Sequence, residues 1–211
     1  MAVVHIMTKG ERTALHSAAR HLHTQFRGTF GPETIEAMLL TSYAQIATRS
    51  TVHRWLTLTA ERYARERLRV LASTRIRATS TTPSVLFLCT RNADRAQMAC
   101  GWFTHLAAGR AIAWSAGAAP TATRVRPSTI AVMAEAGIDI SPESPMHWAD
   151  EYVLAADVVI TMGHGDACPL LPGRHYEDWD IPDPGSHAIH HIRPVRDEIK
   201  QRVTDLLYRL T

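Results

Sequence analysis

Val85-Leu86-Phe87-Leu88-Cys89-Thr90-Arg91-Asn92-Ala93-Asp94-Arg95 is the stretch that decides how this chain is read. An apolar run ends at Cys89, five residues intervene, and Arg95 opens the helix-forming segment Ala96-Gln97-Met98-Ala99. A strand, a tight loop and a helix N-terminus in that order suit the gripping of an oxyanion, because loop N–H groups and the helix dipole converge on the anion. Arg95 adds a planar fork of donors that matches phosphate-like oxygens. The same positive field favours a thiolate on Cys89, so a nucleophile with a lowered pKa is expected.

The residues around this stretch repeat the strand–helix alternation. Strands are expected at 84–88, 111–115, 157–162 and 175–179, and helices at 96–108, 127–136, 147–155 and 194–210. The last helix carries Val195, Ile199, Val203, Leu206 and Leu210 as its apolar stripe. Alternation of this kind predicts an α/β fold, a doubly wound four-stranded parallel sheet covered on both faces. The Cys89 loop then lies at the carboxyl edge of the sheet, where such folds bind ligands.

The first third of the chain reads differently. Residues 10–75 are helical in pattern. Leu15, Ala18, Ala19, Leu22 and Phe26 share one face, and Gly28 and Gly31-Pro32 break the pattern. Ile35, Met38, Leu39, Tyr43 and Ile46 form a second stripe, and a third helix is expected from Val52 to Leu71, with Leu56, Tyr63 and Leu71 inward. A small three-helix bundle is predicted over 1–72, followed by a polar linker at 73–83 and a catalytic domain at 84–211. Residues 1–82 hold 12 Lys and Arg against 5 Asp and Glu, a net of +7, whereas 83–211 hold 11 against 15, a net of −4. The basic half reads as a solvated helical face. It has no nucleic-acid signature beyond its charge, so no nucleic-acid partner is expected, and its helices offer a surface for a homodimer.

Composition narrows the remaining classes. With 45% hydrophobic residues the chain can bury a core, yet no apolar run is long enough to span a bilayer, and no membrane partner is expected. The N-terminus lacks the apolar region of a secretory signal. Three widely spaced cysteines do not make a disulfide framework, which fits a cytoplasmic, reducing setting and thiols kept for chemistry. His187, His190 and His191 have no second cluster of ligands at metal-binding spacing, so no metal site is expected.

Further motifs extend the pattern. Ser115-Ala116-Gly117 follows the second strand, and Met133-Ala134-Glu135-Ala136-Gly137-Ile138-Asp139-Ile140-Ser141 and Asp157-Val158-Val159-Ile160-Thr161-Met162 come next, ahead of Asp183-Pro184. In this order they resemble the low-molecular-weight tyrosine phosphatase superfamily and, within it, the arsenate reductases, over roughly residues 83–211. Gly185-Ser186-His187-Ala188 after Asp-Pro offers no aromatic platform for a phosphotyrosyl ring. Thr161-Met162-Gly163-His164-Gly165-Asp166-Ala167-Cys168-Pro169 and Arg193-Pro194-Val195-Arg196-Asp197-Glu198-Ile199 resemble actinobacterial arsenate reductases, some of which carry a helical extension ahead of the catalytic domain.

The resemblance implies an enzyme of arsenical resistance that reduces arsenate to arsenite through a Cys89 adduct. Arg95 and the loop Thr90, Arg91, Asn92, Ala93 and Asp94 would hold the oxyanion. Asp183 would act as general acid, Asn92 would brace the loop, Ser115 would support it from the second strand, and Cys168 would resolve the adduct. No bound cofactor is implied. The electrons would come from an external thioredoxin, or from a mycothiol-type or glutaredoxin-linked thiol. Four positions depart from the pattern: Ala96 stands where relatives carry Ser or Thr, Asp94 where they carry Gly or Cys, His164 where they carry another cysteine, and Cys100 where some carry glutamate. Cys100 is read as buried and inert. The alternatives are a protein-tyrosine or small phosphomonoester phosphatase on the same fold, and a redox- or arsenic-sensing binding protein.

Overall fold

The structure is a computed structural model that describes residues 7–48, 54–77, 82–163, 170–185 and 188–211. Its chain divides into two compact units, residues 1–78 and 79–211, each with its own apolar core.

In the first unit, α1 (Lys9–Gln25) starts with a capping box. Thr8 Oγ1 accepts the Glu11 N–H at 3.2 Å, and the Glu11 carboxylate accepts the Thr8 N–H at 2.8 Å. After a turn through Gly28, α2 (Pro32–Ala47) begins with Pro32 in its first turn, where a missing N–H costs nothing. α3 (Leu56–Arg77) completes the three helices, and Leu15, Leu22, Ile35, Leu39, Leu56 and Leu68 close the core between them. The expected helix start at Val52 lies outside the described residues. The expected linker from 73 is corrected: Ser73 and Thr74 continue α3, their hydroxyls donating to the carbonyls of Val70 and Leu71 at 2.6 and 2.7 Å. Such back-bonding lets short polar residues remain helical.

The second unit is a four-stranded, all-parallel sheet in the order β2-β1-β3-β4, formed by β1 (Ser84–Cys89), β2 (Ile112–Gly117), β3 (Val158–Met162) and β4 (His175–Asp178). Every residue of β1 and β3 is buried, as central strands covered on both faces require. α4 (Arg95–Ala107) leads from β1 to β2. α5 (Pro127–Ala134) and the short α6 (Asp150–Ala155) lie between β2 and β3, and α7 (Ile189–Leu210) closes the chain. The chain leaves β1 toward β2 on one side and returns to β3 on the other, so the strand order switches between β1 and β3. Cys89 pairs with Gly117 on one flank and with Met162 on the other, at the carboxyl end of that switch.

α7 starts at Ile189, ahead of the expected position 194, and carries Pro194 inside it. A proline removes one helical hydrogen bond, but fully buried Ile192 anchors the turns before it. Among the described residues, no helix is long and apolar enough to cross a membrane.

Candidate active site

Cys89 ends β1, buried in the core, and the chain turns sharply at Asn92, whose φ is 50°. Asparagine tolerates this left-handed conformation better than most side chains. The turn folds the loop back over the strand end, so that the Asn92 N–H donates to Cys89 Sγ at 3.2 Å. The N–H groups of Ala96 and Arg91 also face the sulfur. On the β2 side, Ala118 N–H donates to Cys89 O at 3.1 Å and Ala119 N–H to Thr90 O at 2.7 Å. Gly117 makes this approach possible: a Cβ there would sit 3.0 Å from both Asn92 N and Thr90 O. Asn92 Nδ2 reaches Met146 O at 3.4 Å, a long bond that ties the loop to the segment before α6. Ser115 makes no side-chain hydrogen bond to the loop among the described residues. Backbone groups past Gly117 supply the support from β2 instead.

Arg95 begins α4 and is almost wholly buried. Its Nη1 donates to Ile181 O at 2.9 Å, and Gly163, just beyond β3, lies so close that a Cβ on it would be 3.0 Å from the same nitrogen. Trp179 and Ile181, both buried, anchor the segment that brings Asp183 to the site, and Trp179 packs on Phe87 with ring centroids 5.8 Å apart. Asp183 Oδ2 accepts from Arg91 Nη2 at 2.6 Å, and Oδ1 accepts from the Gly185 N–H at 3.0 Å. Partial burial pushes the Asp183 carboxyl up. The Gly185 N–H and the charges of Arg91 and Arg95 outweigh it and hold the carboxyl below the usual range. Asp183 is therefore ionised at rest.

The lowered pKa expected at Cys89 is corrected. Burial pushes the thiol up, and the Ala96 N–H, the Arg95 charge and the N–H groups of Asn92 and Arg91 offset only part of that. Cys100 sits on α4. Burial, aided by Glu143, pushes its thiol up to about 12 against the Thr104 hydrogen bond, and it is inert near neutral pH. Cys168 and His164 lie outside the described residues.

Asp94, a loop residue expected in the oxyanion cradle, turns its side chain elsewhere. Oδ1 accepts from Thr129 Oγ1 at 2.7 Å, and Oδ2 lies 3.2 Å from Arg126 Nε. Nothing in the linear sequence near Asp94 signals these partners, which come from the start of α5. The sequence places Arg91 among the residues that hold the oxyanion, and nothing near it signals the ion pair with Asp183. Chemically, the site offers a thiol, N–H donors at a helix N-terminus, two guanidinium groups and a carboxylate. That is what an oxyanion-transferring nucleophile needs.

Known proteins resemble this chain in sequence and fold. The sequence pattern of the low molecular weight phosphotyrosine protein phosphatase family matches residues 84–211, and that of a protein-tyrosine-phosphatase-like N-terminal domain matches residues 15–72. A glutaredoxin arsenate reductase from Synechocystis is 37% identical over 134 residues, covering 60% of this chain and 98% of that protein. An arsenate reductase from Staphylococcus epidermidis is 33% identical over 130 residues, 60% of this chain and 97% of its own length. Among solved structures, a thioredoxin-dependent arsenate reductase from Corynebacterium glutamicum superposes with a TM-score of 0.77 at 34% identity, over 94% of this chain and 96% of that one.

Proposed function

We propose, from the premise that this chain belongs to the low molecular weight phosphotyrosine protein phosphatase family, that it is an arsenate reductase in which Cys89 is the nucleophile. The observation that carries the reading is the convergence of three loop and helix N–H groups and Arg95 on Cys89 Sγ, beside the Arg91–Asp183 pair. Relatives named arsenate reductases, one matching nearly the whole chain, support the substrate.

The chemistry balances with groups of this chain. Arsenate enters as a dianion bearing one hydroxyl, and Arg95 with the N–H groups of the loop holds its oxygens. Cys89 Sγ forms a bond to arsenic while the hydroxyl departs. The proton lost by the thiol joins that hydroxyl, which leaves as water. Asp183, ionised at rest, is suited to take the proton and deliver it to the departing oxygen. The adduct still holds arsenic in the +5 state. A second thiol then attacks Cys89 Sγ, a disulfide forms, and the electron pair of the S–As bond leaves with arsenic as arsenite. Each turnover consumes two thiols and yields one disulfide, one arsenite and one water.

Cys168 is our candidate for the second thiol, and a thioredoxin-type dithiol is our candidate for the reductant that reopens the disulfide. The name of the Corynebacterium protein supports the latter. Peptide mapping under non-reducing conditions after arsenate treatment tests the assignment. A Cys89–Cys168 disulfide is expected, together with loss of multiple turnover in Cys168→Ser. Normal turnover of that variant with a small thiol alone would make an external thiol the resolving agent.

A further inference from the structure

Asp94 occupies the N-cap position of α4, and its carbonyl accepts the Met98 N–H at 2.9 Å, but its carboxylate makes no hydrogen bond to its own helix. An aspartate at this position ordinarily accepts from the N–H groups of the first turn. In this chain those same amides border the anion site, and the Ala96 N–H faces Cys89 Sγ. An Asp94 carboxylate in its ordinary capping position would occupy donors the oxyanion needs and would set a negative charge against it. Both carboxylate oxygens are instead engaged on the far side. Thr129, fully buried in the first turn of α5, donates to Oδ1 at 2.7 Å, and Arg126 Nε stands 3.2 Å from Oδ2. The Arg126 N–H also donates to Ala93 O at 3.3 Å, so the same residue holds backbone and side chain of the loop.

The charge pattern agrees. Burial pushes the Asp94 carboxyl up, and the Thr129 hydroxyl and the Arg126 guanidinium in contact with it work against that rise. Arg126 thereby neutralises a carboxylate that would otherwise subtract from the field of Arg91 and Arg95.

We propose that Arg126 and Thr129 are positioning residues that hold the Asp94 carboxylate away from the N-terminus of α4 and so keep its amides open for the oxyanion. The inference rests on the reading of the Cys89 loop as the oxyanion site. It concerns anion binding, and it stands whether or not arsenate is the anion reduced.

Inorganic phosphate is the probe, with its dissociation constant measured by calorimetry on the full chain and its protection of Cys89 from alkylation followed by peptide mapping. Arg126→Gln and Thr129→Val should each weaken phosphate binding about tenfold, as expected for an unpaired charge brought near the ligand, while Thr129→Ser keeps the parental value. Adding Asp94→Asn to either weakened variant should restore affinity to within about threefold of the parent, because the opposing charge is gone. Arg126 is partly exposed, so Arg126→Gln carries the test if Thr129→Val does not fold. Parental phosphate affinity in Arg126→Gln would overturn the proposal. So would a failure of Asp94→Asn to restore it, since Arg126 and Thr129 would then merely shape the loop. A parent protein in which phosphate neither binds nor protects Cys89 would overturn the oxyanion-site reading itself.

Discussion

Replacing Gly163 by alanine tests how the end of β3 sets the position of Arg95. Gly163 has φ 75°, and a Cβ there would lie 3.0 Å from Arg95 Nη1 and 3.7 Å from Nη2. Two costs follow. The left-handed backbone costs an alanine about 1–2 kcal/mol. The guanidinium must also shift by a few tenths of an ångström, and the nitrogen that must move is the one bonded to Ile181 O at 2.9 Å. A hydrogen bond from a charged donor is worth about 1.5–3 kcal/mol. Losing about half of an equivalent bond from Arg95 to the anion removes about 0.8–1.5 kcal/mol, roughly a fourfold to tenfold change in anion affinity. Gly173 is the control, because its φ is 78° and nothing lies within 4 Å of the point where a Cβ would stand. Gly173→Ala should lose stability alone, whereas Gly163→Ala should lose at least as much stability and bind phosphate roughly fourfold to tenfold more weakly. Urea denaturation and phosphate calorimetry on both variants make the comparison. Equal stability losses with phosphate affinity unchanged in Gly163→Ala would refute the coupling between Gly163 and Arg95.

Other outcomes follow from the same geometry. Asp183→Asn should slow single-turnover formation of the arseno adduct by roughly 10²–10⁴-fold with phosphate affinity largely kept, and an unchanged rate would leave Asp183 as a turn residue. Cys89 alkylation should rise with pH to above the ordinary thiol range, because burial raises its pKa, while Cys100, at about 12, stays unmodified at neutral pH; peptide mapping separates the two. Glu177 accepts from Arg209 at 2.8 and 3.0 Å and from Trp179 Nε1 at 3.3 Å, and the Arg209 bonds lead in holding its pKa low. A depressed carboxyl stabilises the fold above its unfolded pKa, about 4.3, and this stabilisation fades as pH falls through the lower folded value. Glu177→Gln should therefore cost roughly 0.5–1 kcal/mol at neutral pH, and the two denaturation midpoints should converge in acid; a difference independent of pH would count against the ion pair.

The strand-loop-helix at 84–107 was legible because one apolar run ends at a cysteine and an arginine opens a helix, both local signals. The parallel sheet followed from the alternation of such runs. Positions decided by distant partners were not legible. The direction of Asp94 depends on Arg126 and Thr129, more than thirty residues later, and nothing near Asp94 marks them. The Arg91–Asp183 pair joins two loops across the sheet edge. Ser115 has the residue type of a loop support, but Gly117, lacking a side chain, is what lets the β2 backbone reach the loop. At Cys89 the sequence displays the donors that favour a thiolate, whereas the burial opposing them arises only from packing. The ends of α3 and α7 were misplaced because Ser73-Thr74 and Pro194 carry the local signs of a break, and hydroxyl back-bonding and the burial of Ile192 override them.

The proposed function rests on the reduction of arsenate by Cys89. Arsenite released per chain, measured by arsenic speciation after arsenate is added to the fully reduced protein with a thioredoxin system, tests it most directly. Sustained arsenite release is expected from the parent, with none from Cys89→Ser although that variant stays folded. Undiminished release from Cys89→Ser would rule out Cys89 as the nucleophile. A parent that yields no arsenite yet hydrolyses aryl phosphates efficiently would contradict the proposed function.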